Sequence, residues 1–106
     1  MILTNCDFVT NFEITETLGV VVGNTVRAKH VGKDLMAGLK AIVGGELQEY
    51  TDMLSDARKE ALNRAVNQAT RLGADAGINL RFMTSQTMAQ ASELLAYGTA
   101  VKLKKV

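Results

Sequence analysis

Between Glu46 and Leu72 the residues Leu47, Tyr50, Leu54, Ala57, Ala61, Ala65, Ala69 and Leu72 recur every three or four positions, which places them on one stripe of a long helix. Glu49, Asp52, Asp56, Glu60, Asn63 and Asn67 fall on the opposite, solvated side. Glu60 and Arg64 add an i, i+4 ion pair worth a few tenths of a kcal/mol. Gly73 follows Arg71 and Leu72, where a left-handed residue closes a helix and only glycine adopts that shape cheaply. At about 1.5 Å per residue the helix is near 40 Å long, more than a globule of roughly 100 residues covers alone. Either it bends or a neighbouring subunit shares it.

Thr15 to Arg27 is rich in β-branched residues and has no helical period, so it predicts a strand. Gly19 and Gly23 interrupt it, and a glycine inside a strand marks a bulge or a close backbone approach. Asp34 precedes Leu35, Met36, Leu39, Ile42 and Val43 at helical spacing, which predicts a short helix over 34–43, ended by Gly44-Gly45. After Gly73 the period switches to two. Ile78, Leu80 and Phe82 form one strand, and Leu95, Tyr97, Thr99, Val101 and Leu103 another, joined as an antiparallel hairpin through a loop from Thr84 to Ser92. The order β-α-α-β-β predicts an α+β domain, a small antiparallel sheet with a short and a long helix on one face. Two sheet edges stay open, and a sheet face of small or polar residues, Gly77, Asn79, Arg81, Ala96, Gly98 and Ala100, stays weakly covered in such a subunit, so a closed homo-oligomer is expected.

Composition limits the function. The chain has 106 residues and a net charge of +1, one domain's worth with no electrostatic footprint for nucleic acid. No apolar run approaches the roughly 20 residues of a membrane span, and Met1 to Thr10 lacks the basic and apolar regions of a secretory signal. Cys6 is the one cysteine, which fits a reducing compartment, and the expected location is the cytoplasm. The absence of proline agrees with long regular elements joined by glycine turns.

Cys6 and His30 are the two soft or borderline metal ligands besides methionine. One subunit lacks the paired spacing of a structural zinc site, so these two serve as candidate metal ligands if symmetry gathers copies of them. Their ordinary roles are a small buried side chain for Cys6 and a polar turn residue for His30. A Cys and His dyad would need Cys6 and His30 to meet across the first strand. Ser55, Ser85 and Ser92 have no neighbouring histidine, and no nucleophile elbow or phosphate-binding glycine motif is present. Glu46 next to the glycine pair argues against an anion site at the long helix's start. Asp52, Asp56 and Glu60 could attract a cation but read as a solvated ridge, and Phe82, Met83 and Met88 could form a soft lip. Asp75 and Asp34 are the candidate bases if the protein is an enzyme. Asp75, just after the helix stop, can instead shape the turn through backbone hydrogen bonds.

The segments Leu18-Gly19-Val20-Val21-Val22-Gly23, Asp34 with Ala37 and Gly38, Ile42-Val43-Gly44-Gly45, Leu72-Gly73-Ala74-Asp75-Ala76 and Gly98-Thr99-Ala100-Val101, in this order, resemble the YbjQ-like family. That family is labelled heavy-metal-binding and is otherwise of unknown function. The resemblance runs from about Thr17 to Val101. It implies a dodecin-like subunit in a ring-shaped homopentamer. Asn24 stands where the family usually carries an acidic residue, Glu46 where it carries an arginine, and Arg81 lies in a stretch that is commonly acidic.

The leading expectation is a non-enzymatic homo-oligomer, a pentamer on the resemblance, that binds a small ligand or acts as a scaffold, over one domain of residues 1–106. Its expected partner is itself, with a small molecule or metal ion at subunit boundaries. No cofactor, nucleic acid or membrane is expected. The alternatives are soft-metal or metalloid binding at sites assembled by symmetry, and a small enzyme with an inter-subunit acidic site.

Overall fold

A computed structural model describes residues 1–28, 42–43, 46–88 and 91–106. Its strands are β1 (Ile2–Leu3), β2 (Phe12–Ala28), β3 (Ile42–Val43), β4 (Glu46–Leu47), β5 (Ala76–Met88) and β6 (Ala91–Lys105), with one described helix, α1 (Gln48–Arg71), before β5. The main sheet has the order β1-β5-β6-β2. β5 and β2 flank β6 antiparallel, and β1 runs parallel to β5, pairing Ile2 with Ala76 and Leu3 with Gly77.

The α+β class and the long helix on one sheet face hold. The detailed order does not. The sheet is four-stranded and mixed rather than three-stranded and antiparallel, because two residues at the N-terminus, too few to show an alternation, use the free edge of β5. Ile42 and Val43 are not the last turn of a short helix. They pair antiparallel with Leu47 and Glu46, which suits their branched side chains, and residues 34–41 lie outside the described residues. The long helix therefore starts at Gln48. Within the expected loop from Thr84 to Ser92, residues 84–88 and 91–92 are strand instead, since Thr84 pairs with Leu94, Ser85 with Glu93 and Gln86 with Ser92. Polar side chains hid that strand from a reading based on apolar alternation.

The two glycines of β2 do different work. Gly19 has φ +134° and sits at a register shift, a bulge that lets the long strand bend. Gly23 is a place of close approach. A Cβ there would fall 2.9 Å from Arg64 Cβ and 2.5 Å from the Ala65 nitrogen, and would overlap the Ala61 carbonyl oxygen. Ala57, Ala61, Ala65 and Ala69, all buried, form the helix face that meets the sheet there. Small side chains on the helix and none at Gly23 bring the two backbones together.

At the other end of α1 the Gly73 amide donates to Thr70 O at 3.0 Å and the Ala74 amide to Ala69 O at 3.1 Å. With φ +79° at Gly73 this is the expected left-handed helix stop. Leu72, included in the apolar stripe, is 45% exposed.

Because side chains alternate, β6 splits the core. Ala96 and Ala100, expected on the uncovered face, instead face the helix, where their small side chains let it sit close, packed with Ala61, Ala65 and Ala69, while Val101 faces the other way with Ala76 and Ile78. Val9, Ile14 and Leu103 pack on that second cluster, so the N-terminal segment covers one end of the outer sheet face.

Candidate functional site

Two long helix side chains reach the outer edge of β2 around Gly23. The Val22 amide donates to Gln68 Oε1 at 2.7 Å, and an Arg64 guanidinium nitrogen donates to the Asn24 carbonyl. Arg64 also pairs with Glu60, as the i, i+4 spacing predicts. These bonds satisfy edge groups that would otherwise be open to pairing with another chain. They also hold α1 toward β2 and β6, and leave β5 with little helix above it.

The space left between α1 and β5 is a cleft of about 290 Å³ lined by Ser55, Arg58, Lys59, Leu62 and Phe82. Ser55, Arg58, Lys59 and Leu62 lie at i, i+3, i+4 and i+7 and so share one helix face. Phe82 pairs with Ala96, which is buried against the helix, and Phe82 itself is 47% exposed. An Arg58 nitrogen donates to Ser55 Oγ at 3.2 Å, which steadies the guanidinium beside the apolar floor. Among the described residues neither Arg58 nor Lys59 has a carboxylate partner.

The sheet face away from the helix is apolar where the N-terminal segment does not cover it. Val20, Val22 and Val26 are 69%, 41% and 51% exposed, and Met83 is 54% exposed. The register sets Val22 beside Tyr97 and Asn24 beside Leu95 on the same face. Beyond them Asn24 Nδ2 donates to Glu93 Oε2 at 3.3 Å and Ser85 Oγ to Glu93 Oε1 at 3.5 Å, a polar row across three strands.

Of the residues singled out from sequence, Cys6 and Asp75 are described and His30 and Asp34 are not. Cys6 is exposed rather than buried, with its thiol 3.9 Å from Asn5 Oδ1. Its carbonyl accepts from the Asn79 amide at 2.9 Å, because Asn79, at φ 51°, bulges β5 toward the N-terminal segment. His30, Asp34, Gly38 and Gly44-Gly45 lie outside the described residues. Asp75 takes the structural role. Its Oδ2 accepts from the Leu103 amide at 2.8 Å and its own amide donates to Val101 O at 2.9 Å, locking the start of β5 to β6. Arg81 donates to the Asn5 carbonyl at 2.8 Å, tying the N-terminal segment to the sheet. Phe82 was legible as a lip residue, whereas Arg58, Lys59 and Leu62 gave no signal because their cleft depends on where the helix lies across the sheet.

Among the described residues no three His, Cys, Asp or Glu side chains gather around a point. Asp52 and Asp56 are exposed on the solvated ridge of α1.

The YbjQ-like family model, described as "Putative heavy-metal-binding", matches residues 1–104. A UPF0145 protein of Archaeoglobus fulgidus is 66% identical over 104 residues, covering 98% of this chain and 96% of that relative. A UPF0145 protein of Methanoculleus marisnigri is 67% identical over 103 residues, covering 97% and 96%. Among solved structures, a protein of unknown function from Pediococcus pentosaceus, placed in the DUF74 family, superimposes with a TM-score of 0.67 at 17% identity over 98% of each chain. That likeness concerns the fold alone.

Proposed function

The chain belongs to the YbjQ-like, UPF0145 family, whose function is unknown, and from that premise we propose that it is a non-enzymatic homo-oligomeric scaffold that holds a small ligand. The observation that carries this reading is the bare outer sheet face. Val20, Val22, Val26 and Met83 stand in water on a strip continuous with Leu95 and Tyr97. A monomer gains nothing from such a surface, whereas a second copy laid on it buries apolar area worth about 25 cal/mol per Å². The shape agrees. The radius of gyration is 17.3 Å with extents of 55 × 27 × 16 Å, against about 13 Å expected for a compact chain of this length. A slab one helix and one sheet thick needs neighbours. Five subunits in a ring is the count that the family resemblance supports, and the cytoplasm is the location that the lone cysteine supports. No helix among the described residues is long and apolar enough to cross a membrane.

Sedimentation equilibrium tests the assembly. The expected result is a multiple of 11.4 kDa at micromolar concentration, dispersed by the double variant Val20→Lys, Val22→Lys. A folded 11.4 kDa monomer of the unaltered chain would overturn the reading.

A further inference from the structure

We propose that the cleft between α1 and β5 binds a small organic anion with an aromatic or aliphatic body, its charged end on Arg58 and Lys59 and its body on Phe82 and Leu62. This deepens the ligand-holding part of the function above and names the class of ligand.

The cleft offers two unlike surfaces side by side. Its floor is apolar, the Phe82 ring and Leu62, and its rim carries two cations. Arg64 is paired with Glu60 and the Asn24 carbonyl, whereas Arg58 and Lys59, like Arg71, Arg81 and Lys102, have no carboxylate partner among the described residues, and what sets Arg58 and Lys59 apart is that both line the cleft beside Phe82 and Leu62. Arg58 is also held. Its bond to Ser55 Oγ uses one nitrogen of a planar fork and leaves other donors for a carboxylate, sulfonate or phosphate oxygen. Lys59 supplies a second, mobile charge one position on.

Size decides the body. A cleft of about 290 Å³ is at the lower limit of ligand pockets, which run from roughly 300 Å³, and admits one or two fused rings or a short alkyl chain. A neutral apolar molecule would leave both cations unanswered, and a bare inorganic anion would leave the Phe82 ring in water. A ligand with both parts satisfies both surfaces.

The test uses the full-length protein and follows backbone amide shifts by NMR while 2-naphthoate is added, with 2-naphthalenemethanol as the neutral match and inorganic phosphate as the anion without a body. The proposal expects saturable shifts around Ser55 to Leu62 and Phe82 with 2-naphthoate, and at least tenfold weaker binding for either control. Arg58→Gln with Lys59→Gln should reduce naphthoate affinity tenfold or more and leave binding of the neutral alcohol unchanged. Phe82→Leu, which keeps an apolar floor, should weaken it by a smaller factor. Equal affinity for acid and alcohol, an unaffected double variant, or shifts confined to Val20, Val22 and Tyr97 would overturn it. Sedimentation of the same samples separates the two readings. Intact oligomers without naphthoate binding refute the cleft alone, and binding by a monomer refutes the assembly alone.

Discussion

Gly23→Ala adds one carbon at the place where helix and strand backbones come closest, so its effect can be worked from distances. Gly23 has an ordinary negative φ, so backbone preference alone would favour alanine in a strand by about 0.5–1 kcal/mol. Space decides otherwise. The new Cβ would sit 2.5 Å from the Ala65 nitrogen and 2.9 Å from Arg64 Cβ, and both neighbours belong to helix backbone or its first side-chain atom, which cannot rotate away. The helix must lift from β2. Overpacking of this kind costs about 1–3 kcal/mol. Lifting also stretches the bonds of Gln68 to the Val22 amide and of Arg64 to the Asn24 carbonyl, each worth about 1 kcal/mol net. The balance is a loss near 3 kcal/mol, a large share of the roughly 5–15 kcal/mol that holds a domain together. Urea unfolding at fixed protein concentration reads it. With a slope of about 1.5 kcal/mol per M, the midpoint should fall by about 2 M. An unchanged midpoint would mean that α1 does not rest on β2 at Gly23, and the account of the helix seat would fail.

The remaining expectations use the same logic. Gly73→Val should cost more than about 1 kcal/mol from strain at φ +79°, because the nearest atom to a Cβ there is Lys102 Nζ at 3.8 Å and sterics contribute little, so Gly73→Asn should lose less in the same thermal melt. Asp75→Ala should cost about 1.5–3 kcal/mol by stranding the Leu103 amide, with faster hydrogen exchange at Leu103, whereas Asp75→Asn keeps an acceptor and should cost less. Zinc, copper or nickel should bind below stoichiometry, and dialysis against a chelator should leave circular dichroism unchanged in both the native chain and Cys6→Ser. Stoichiometric metal lost together with the fold would overturn that expectation.

What could be read from sequence followed from repetition. The alanine stripe of α1, its stop at Gly73 and the alternation in β6 each repeat a rule over several turns or residue pairs, so local noise averages out. Gly19 and Gly23 were legible as a bulge or a close approach, but assigning one role to each needed φ for Gly19 and the helix position for Gly23. β1 was invisible because Ile2-Leu3 is strand only by leaning on β5. The end of β5 was misread because Thr84, Ser85 and Gln86 carry turn-like side chains, and pairing with β6 outweighs their local preference. The cleft was the least legible feature. Ser55, Arg58, Lys59 and Leu62 are an ordinary helix surface until a sheet passes beneath them at a particular angle.

That angle links the subunit's parts. Gly23 and the alanines draw α1 onto β2, and Gln68 and Arg64 close part of the β2 edge as a result. A helix about 36 Å long but only about 10 Å wide cannot also cover β5, so the seat at one edge opens the cleft toward the other. The outer face is bare for a separate reason. Val9 of the N-terminal segment packs on the cluster of Ala76, Ile78 and Val101, and the Val20 to Val26 strip beyond it stays exposed. Cleft and strip thus lie on opposite faces of one sheet. A neighbour laid on the strip does not fill the cleft from behind, and this is why assembly and ligand binding can be measured, and refuted, independently.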